Sequence, residues 1–249
     1  MINSRILVVE DDAIIAMEIA ERLQRMGCEV TGTVATGAEG VRMALASPPD
    51  LILMDIRLKG EMDGTEAAAR ITAQLDVPVV YLTAYSDRET LDRARRVFSY
   101  GYIVKPFNDR QLLCAIDMAF SNHALHRQVK ESEEKFRTLF ENISDAGFLY
   151  EISPDGTPGQ IVEVNAAALS LLGMSREELA GTEYAGLNDR CCSRDFPGFM
   201  HQLVRNGHIR YEMILAGKDG RQTLVEVNAH LFPLHDRIMV ISLAREIKS

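Results

Sequence analysis

No apolar run in the 249 residues approaches the ~20 needed to span a bilayer, so membrane insertion is not expected. Nor does the amino terminus carry the layout of a secretory signal, because Met1–Arg5 leads straight into a strand-like segment. A basic excess is absent too. Residues 1–121 hold 13 Lys and Arg against 18 Asp and Glu, a net of −5, and residues 122–249 hold 14 against 18, a net of −4. Neither half has the footprint of a phosphate-backbone binder, so nucleic acid is not an expected partner. The four cysteines, Cys28, Cys114, Cys191 and Cys192, lack zinc spacing. Internal repeats and low-complexity tracts are missing. The expectation is a reduced, soluble, cytoplasmic chain long enough for two ordinary domains.

What is present begins with alternating periods. Arg5–Val9, Val30–Ala35, Leu51–Met54, Val77–Leu82 and Tyr102–Val104 read as short strands, several of them apolar on both faces. Ala13–Met26, Gly37–Ala46, Gly64–Leu75, Asp87–Phe98 and Asp109–Phe120 read as helices between and after them. Gly27 fits a helix C-cap and Asp63 an N-cap. Strands alternating with helices predict a doubly wound five-stranded parallel sheet, with function at the carboxyl ends of its strands.

Those ends carry chemistry. The first strand runs into three acids, Glu10, Asp11 and Asp12, whose like charges resist joint ionisation. Asp12, at the entrance of the first helix, is explained as its N-cap. The third strand ends in Asp55, the fourth in Thr83 and the fifth in Lys105-Pro106. Clustered carboxylates suit a hard divalent cation such as Mg²⁺, which offsets their repulsion and can neutralise a phosphoryl group. A carboxylate can then serve as nucleophile and form an aspartyl phosphate, with lysine as a compact positive charge for phosphate oxygens.

VVEDD, PDLILMDIRLKGEMDG, VVYLTAY and GYIVKPF, in this order across residues 4–120, resemble a response-regulator receiver domain of two-component signalling. The resemblance implies a flavodoxin-like fold and a role for each matching position. Asp55 is the implied phosphoacceptor. Glu10, Asp11, Asp55 and the backbone carbonyl of Arg57 are the implied Mg²⁺ ligands. Lys105 would contact the phosphoryl group and form a cis peptide with Pro106. Thr83 and Tyr102 would switch together. Arg57 and Tyr85 would affect water access. The usual proline-containing turn after the phosphoacceptor is replaced by LKGEMDG, so an altered loop is expected there without loss of chemistry. Arg93, Arg95 and Arg96 on the fourth helix are read as a solvated face.

Polar residues HALHRQVKESEEK follow without Pro or Gly, which predicts a helical connector. Ala119, Asn122, His126, Val129, Glu133, Phe136 and Phe140 recur at spacings of three and four, a weak seam for a second copy of the chain. Beyond it, Ala146–Ile152 and Gln160–Val164 read as strands around the turn Pro154-Asp155-Gly156. Asn165–Leu172 and Pro197–Arg205 read as helices, and His208–Leu215, Thr223–Leu231 and Arg237–Ala244 as a meander. EEKFRTLFENISDAGFLYEI, VNAAALSLLGMSREELAG and GKDGRQTLVEVNAHLFPL resemble a PAS domain over residues 133–247. Members of that family hold haem, flavin or metabolites, or hold nothing and dimerise. His201 is read as a surface helix histidine rather than a haem ligand, and Cys191-Cys192 as ordinary thiols rather than a flavin-adduct site. The stripe Ala168, Leu169, Leu171 and Leu172 is read as core. The PAS ligand, if any, is left open.

The expected organisation is a receiver at 1–121, a connector at 122–135 and an α+β PAS domain with an antiparallel sheet at 136–249. The expected function is a response regulator that takes a phosphoryl group from a cognate histidine kinase and relays the change to the PAS domain. Homodimerisation through receiver, connector or PAS domain is expected. Two other readings are a receiver–PAS part of a longer hybrid sensor kinase, and a PAS cofactor sensor with a scaffolding receiver. His123 and His126 lie on the connector, but no ATP-binding segment follows, so the chain is not expected to be a kinase.

Overall fold

The computed structural model describes residues 3–84, 100–179, 182–184 and 196–247. The expected helix at Asp87–Phe98, together with Tyr85, Arg93, Arg95, Arg96 and Cys191-Cys192, lies outside the described residues. Two compact units, Met1–Glu131 and Ser132–Ser249, divide within one long helix.

In the first unit, β1 (Arg5–Val9), β2 (Glu29–Val34), β3 (Leu51–Asp55), β4 (Val79–Ala84) and β5 (Gly101–Lys105) form a parallel sheet in the order β2-β1-β3-β4-β5. Alternation along β1 explains why Ile6 to Val9 are all apolar. Ile6 and Val8 join one core with Ile19 and Leu23 of α1 (Ala13–Arg25) and Leu112 and Ile116 of α4 (Asp109–Glu141). Leu7 and Val9 join the opposite core with Ala44 of α2 (Gly37–Ala46) and Ala67, Ala68 and Ile71 of α3 (Gly64–Thr72). Both faces are therefore covered, as a parallel sheet requires. Fully burying one such side chain stabilises the fold by about 1.5–3 kcal/mol.

Local chemistry sets the helix ends. Asp12 caps α1 by accepting from the N–H of Ile14 (2.9 Å) and Ile15 (3.3 Å), and Gly27 follows with φ +82°. Asp63 caps α3 by accepting from the Glu66 N–H at 2.8 Å. Among these elements, three differ from expectation by two residues or more. The third helix stops at Thr72 rather than Leu75. The fourth strand begins after Pro78, which has no N–H to donate, and it runs on to Ala84 rather than ending at Leu82. The fifth helix does not stop at Phe120; it continues without a break to Glu141, since nothing in 121–141 interrupts it.

The stripe read along this helix also needs correction. Ala119 and Phe140 are buried within their own chain, and His126 packs edge-on to Tyr100 at 5.8 Å. The large apolar residues it leaves exposed are Leu113, Met118, Leu125, Val129, Phe136 and Leu139.

In the second unit, β6 (Ala146–Ile152), β7 (Pro158–Val164), β8 (His208–Ala216), β9 (Gln222–Leu234) and β10 (Arg237–Glu246) form an antiparallel sheet ordered β7-β6-β10-β9-β8. Helices α5 (Ala166–Leu172), α6 (Arg176–Leu179) and α7 (Phe196–Asn206) accompany it; α6 had no signal in the sequence reading. Phe148, Tyr150, Tyr184, Phe196 and Tyr211 fill the core beside Ala168 and Leu172, with Tyr184 stacked on Tyr150 at 3.8 Å. Asn165 organises one end. Its Oδ1 accepts from the N–H of Gly147 (2.8 Å) and Ala168 (2.9 Å). Its Nδ2 donates to the carbonyls of Phe140 (3.2 Å), Ile143 (3.2 Å) and Asp145 (2.9 Å). The last turn of α4 is thereby tied to β6 and α5.

Candidate functional site

The sheet order brings the carboxyl ends of β1, β3 and β5 together. Glu10, Asp11 and Asp55 each offer a carboxylate oxygen, and these oxygens all lie within 4.8 Å of one another. Glu10 and Asp55 are buried and Asp11 is partly exposed. Lys105, from the end of β5, reaches across with Nζ 2.5 Å from Glu10 Oε2 and 2.5 Å from Asp55 Oδ2. The backbone N–H of Arg57 donates to Asp55 Oδ1 at 3.0 Å. Both oxygens of Asp55 are therefore held, and its plane is set before any ligand arrives.

The electrostatics follow from burial. Desolvation, reinforced by the Asp55 charge, pushes the Glu10 carboxyl up to about 7 against the opposing pull of Lys105. Burial opposes the charge on Lys105, but its hydrogen bonds to Asp55 and Glu10 outweigh it and raise the ammonium above its ordinary value. One ammonium thus under-neutralises the buried carboxylates. Carboxylate oxygens that outnumber the ammonium groups beside them fit a divalent cation such as Mg²⁺.

Two residues that the sequence reading did not single out shape this pocket. Lys59, in the LKGEMDG loop, places Nζ 3.2 Å from Asp11 Oδ2 and donates to the Asp11 carbonyl at 3.3 Å. Gly64, the first residue of α3, sits so close behind β3 that a Cβ there would lie 1.8 Å from the Asp55 carbonyl oxygen. Its N–H donates to the Ile56 carbonyl at 2.9 Å. The Asp63-Gly64 pair was legible as a cap, but nothing in sequence shows that the glycine abuts the acidic strand end. On the other side of the crevice, Arg22 of α1 holds the turn after Lys105, donating to the carbonyl of Phe107 (3.1 Å) and to Asp109 (2.9 Å). The Lys105-Pro106 peptide is cis.

The remaining expected residues are placed as follows. Thr83 is buried, and its hydroxyl donates to the carbonyl of Ala84 at 3.2 Å. Tyr102 is 51% exposed. In the second unit His201 is exposed on α7 with Nδ1 2.8 Å from the Pro197 carbonyl, as a surface histidine would be.

Family models match both halves. Residues 6–117 match the response regulator receiver domain, and residues 145–248 match a PAS domain. The chain is a response-regulator receiver domain followed by a PAS domain. The chain is 37% identical over 139 residues to the transcriptional regulatory protein PdtaR of Mycobacterium tuberculosis, covering 56% of this chain and 66% of that protein. It is 34% identical over 134 residues to the uncharacterized transcriptional regulatory protein YrkP of Bacillus subtilis, covering 53% and 56%. The chain thus spans 66% or less of the length of these curated relatives. The solved receiver domain of a modulated diguanylate cyclase from Desulfovibrio desulfuricans shares 37% identity at a TM-score of 0.48, covering 50% of this chain and 98% of that one. No described helix of the receiver–PAS chain is long and apolar enough to cross a membrane.

Proposed function

We propose that this receiver–PAS chain is a two-component response regulator that accepts a phosphoryl group on Asp55 from a histidine kinase and passes the change to its PAS domain. The observation that carries the reading is the pocket itself: three carboxylates within 4.8 Å, one of them clamped by a lysine ammonium and a backbone N–H. That donor set suits phosphoryl transfer to a carboxylate better than acid–base hydrolysis.

Glu10, Asp11, Asp55 and the backbone carbonyl of Arg57 would hold Mg²⁺. Bound there, the ion supplies the positive charge that the carboxylates and an incoming phosphoryl group both need. Asp55 attacks the phosphorus of the donor in line. The new O–P bond forms as the bond to the donor's nitrogen or acyl oxygen breaks, and the leaving group keeps the electron pair. Lys105 exchanges part of its contact with Asp55 for the phosphoryl oxygens. Thr83 turns its hydroxyl from Ala84 toward the phosphoryl group, and Tyr102 moves inward behind it. The receiver then acts on the PAS domain through α4. The chain is a phosphoacceptor and self-catalyst rather than a kinase, and its proposed place is the cytoplasm. No ligand is assigned to the PAS domain.

The test uses labelled acetyl phosphate. With Mg²⁺ the chain should take up label that hydroxylamine removes, as an acyl phosphate requires; with a chelator in place of Mg²⁺ it should not. Label that resists hydroxylamine, or that forms equally without a divalent cation, contradicts the proposal.

A further inference from the structure

Two ammonium groups reach the acidic crevice, and they are held differently. Lys105, from the end of β5, lies 2.5 Å from both Glu10 Oε2 and Asp55 Oδ2, with its side chain 19% exposed. Lys59 comes from the loop between β3 and α3. Its Nζ lies 3.2 Å from Asp11 Oδ2 and donates to the Asp11 carbonyl at 3.3 Å. Two contacts to one residue seat this ammonium over the end of β1. Its side chain is 76% exposed, so it can return to water at little cost. Gly60 follows with φ +109°, where a side chain would be strained, and turns the loop directly after Lys59.

Each of the three clustered carboxylates therefore already has a cation. Glu10 and Asp55 share Lys105, and Asp11 has Lys59. Mg²⁺ needs oxygen ligands at about 2.0–2.1 Å in near-octahedral geometry. An ammonium on Asp11 Oδ2 contests that oxygen, and its charge repels a dication at the same carboxylate. One lysine must yield when the ion binds. Withdrawing Lys105 would strand two buried carboxylates at once. Withdrawing Lys59 frees one partly exposed carboxylate, which the ion itself then neutralises.

We infer that Lys59 is a resident counter-ion of Asp11 that competes with Mg²⁺ and is displaced by it, and so sets the metal affinity of the pocket. This role rests on the proposed Mg²⁺ site and assigns a regulator of that site to LKGEMDG, the loop that replaces the usual proline-containing turn. A lysine here could act in either of two opposite ways. One that merely positioned Asp11 for the metal would strengthen binding. One that competes for Asp11 weakens it, and the sign of the change on its removal separates the two.

The test is calorimetric titration of the full chain with Mg²⁺ at fixed pH and ionic strength. Lys59→Met should bind Mg²⁺ about three- to tenfold more tightly than the parent, the scale of one ammonium beside a solvent-open dication site. Lys59→Arg, which keeps the charge, should stay within about twofold of the parent on the same scale. Lys130→Met removes an exposed lysine on α4 and should leave the affinity unchanged, which separates a local effect from a change in net charge. Weaker or unchanged binding by Lys59→Met, or equal tightening by Lys130→Met, overturns the inference while the Mg²⁺ site stands. Failure of both the parent and Lys59→Met to bind Mg²⁺ overturns the site and the inference together.

Discussion

Replacing Lys105 with Met leaves Glu10 and Asp55 buried without their ammonium, and the cost should depend on pH in a calculable way. In the native chain Glu10 holds its proton up to about 7, against 4.5 for an ordinary glutamate. The native state therefore binds more protons than the unfolded state, so metal-free stability from this group is fullest below 4.5 and is lost as pH rises through about 7. Removing Lys105 removes the two influences that pull Glu10 down, its hydrogen bond and its charge. Glu10 then stays protonated well beyond 7, and the variant keeps losing stability after the parent has levelled off. Between pH 6 and pH 8 the gap between parent and variant should widen by about 1.4 kcal/mol, one unit of native-state titration. Hydrogen exchange in the presence of a chelator reads this locally, with peptides from β1 and β3 reporting the effect and peptides from β9 as the internal control. A gap that stays constant from pH 6 to 8, or that appears equally in β9, refutes the electrostatic account of the pocket.

Mg²⁺ binding should displace the Glu10 proton, so affinity measured by calorimetry should rise from pH 6 to 8, with proton release seen as a dependence on buffer ionisation heat; pH-independent binding contradicts this. Gly64→Ala should cost about 2–3 kcal/mol and weaken Mg²⁺ binding, because the new methyl group forces α3 away from the Asp55 backbone; unchanged melting would show that the close approach is not needed. Asn165→Ala should destabilise the PAS half by about 3 kcal/mol through stranded buried groups, read as lost exchange protection at Gly147 and Ala168. Asp12→Ala should cost about 1 kcal/mol as a lost cap while leaving Mg²⁺ affinity unchanged, which separates it from Asp11.

The strands and helices around the acidic crevice were legible because their signals are local. An apolar run ending in an acid, a cap before a helix and a glycine after one can each be read from neighbouring residues. The three carboxylates and Lys105 were legible as a set because a parallel sheet brings its strand ends together. What escaped depends on contacts between distant segments. Lys59 reads as an ordinary loop lysine until the loop folds it over Asp11. Gly64 reads as an ordinary first residue of a helix until α3 presses on β3. Asn165 reads as the first residue of a helix, but four of its five hydrogen bonds go to residues 18–25 positions earlier. The stripe read along α4 needed correction for the same reason: Ala119 and Phe140 are claimed by cores that the spacing alone does not reveal.

The most direct test of the account is the intact mass of the chain after acetyl phosphate and Mg²⁺. The parent should gain the mass of one phosphoryl group, and Asp55→Asn should gain none under the same conditions. Equal modification of the two proteins, or none in a parent that binds Mg²⁺ while a control receiver is labelled, would contradict the assignment of Asp55 as the phosphoacceptor.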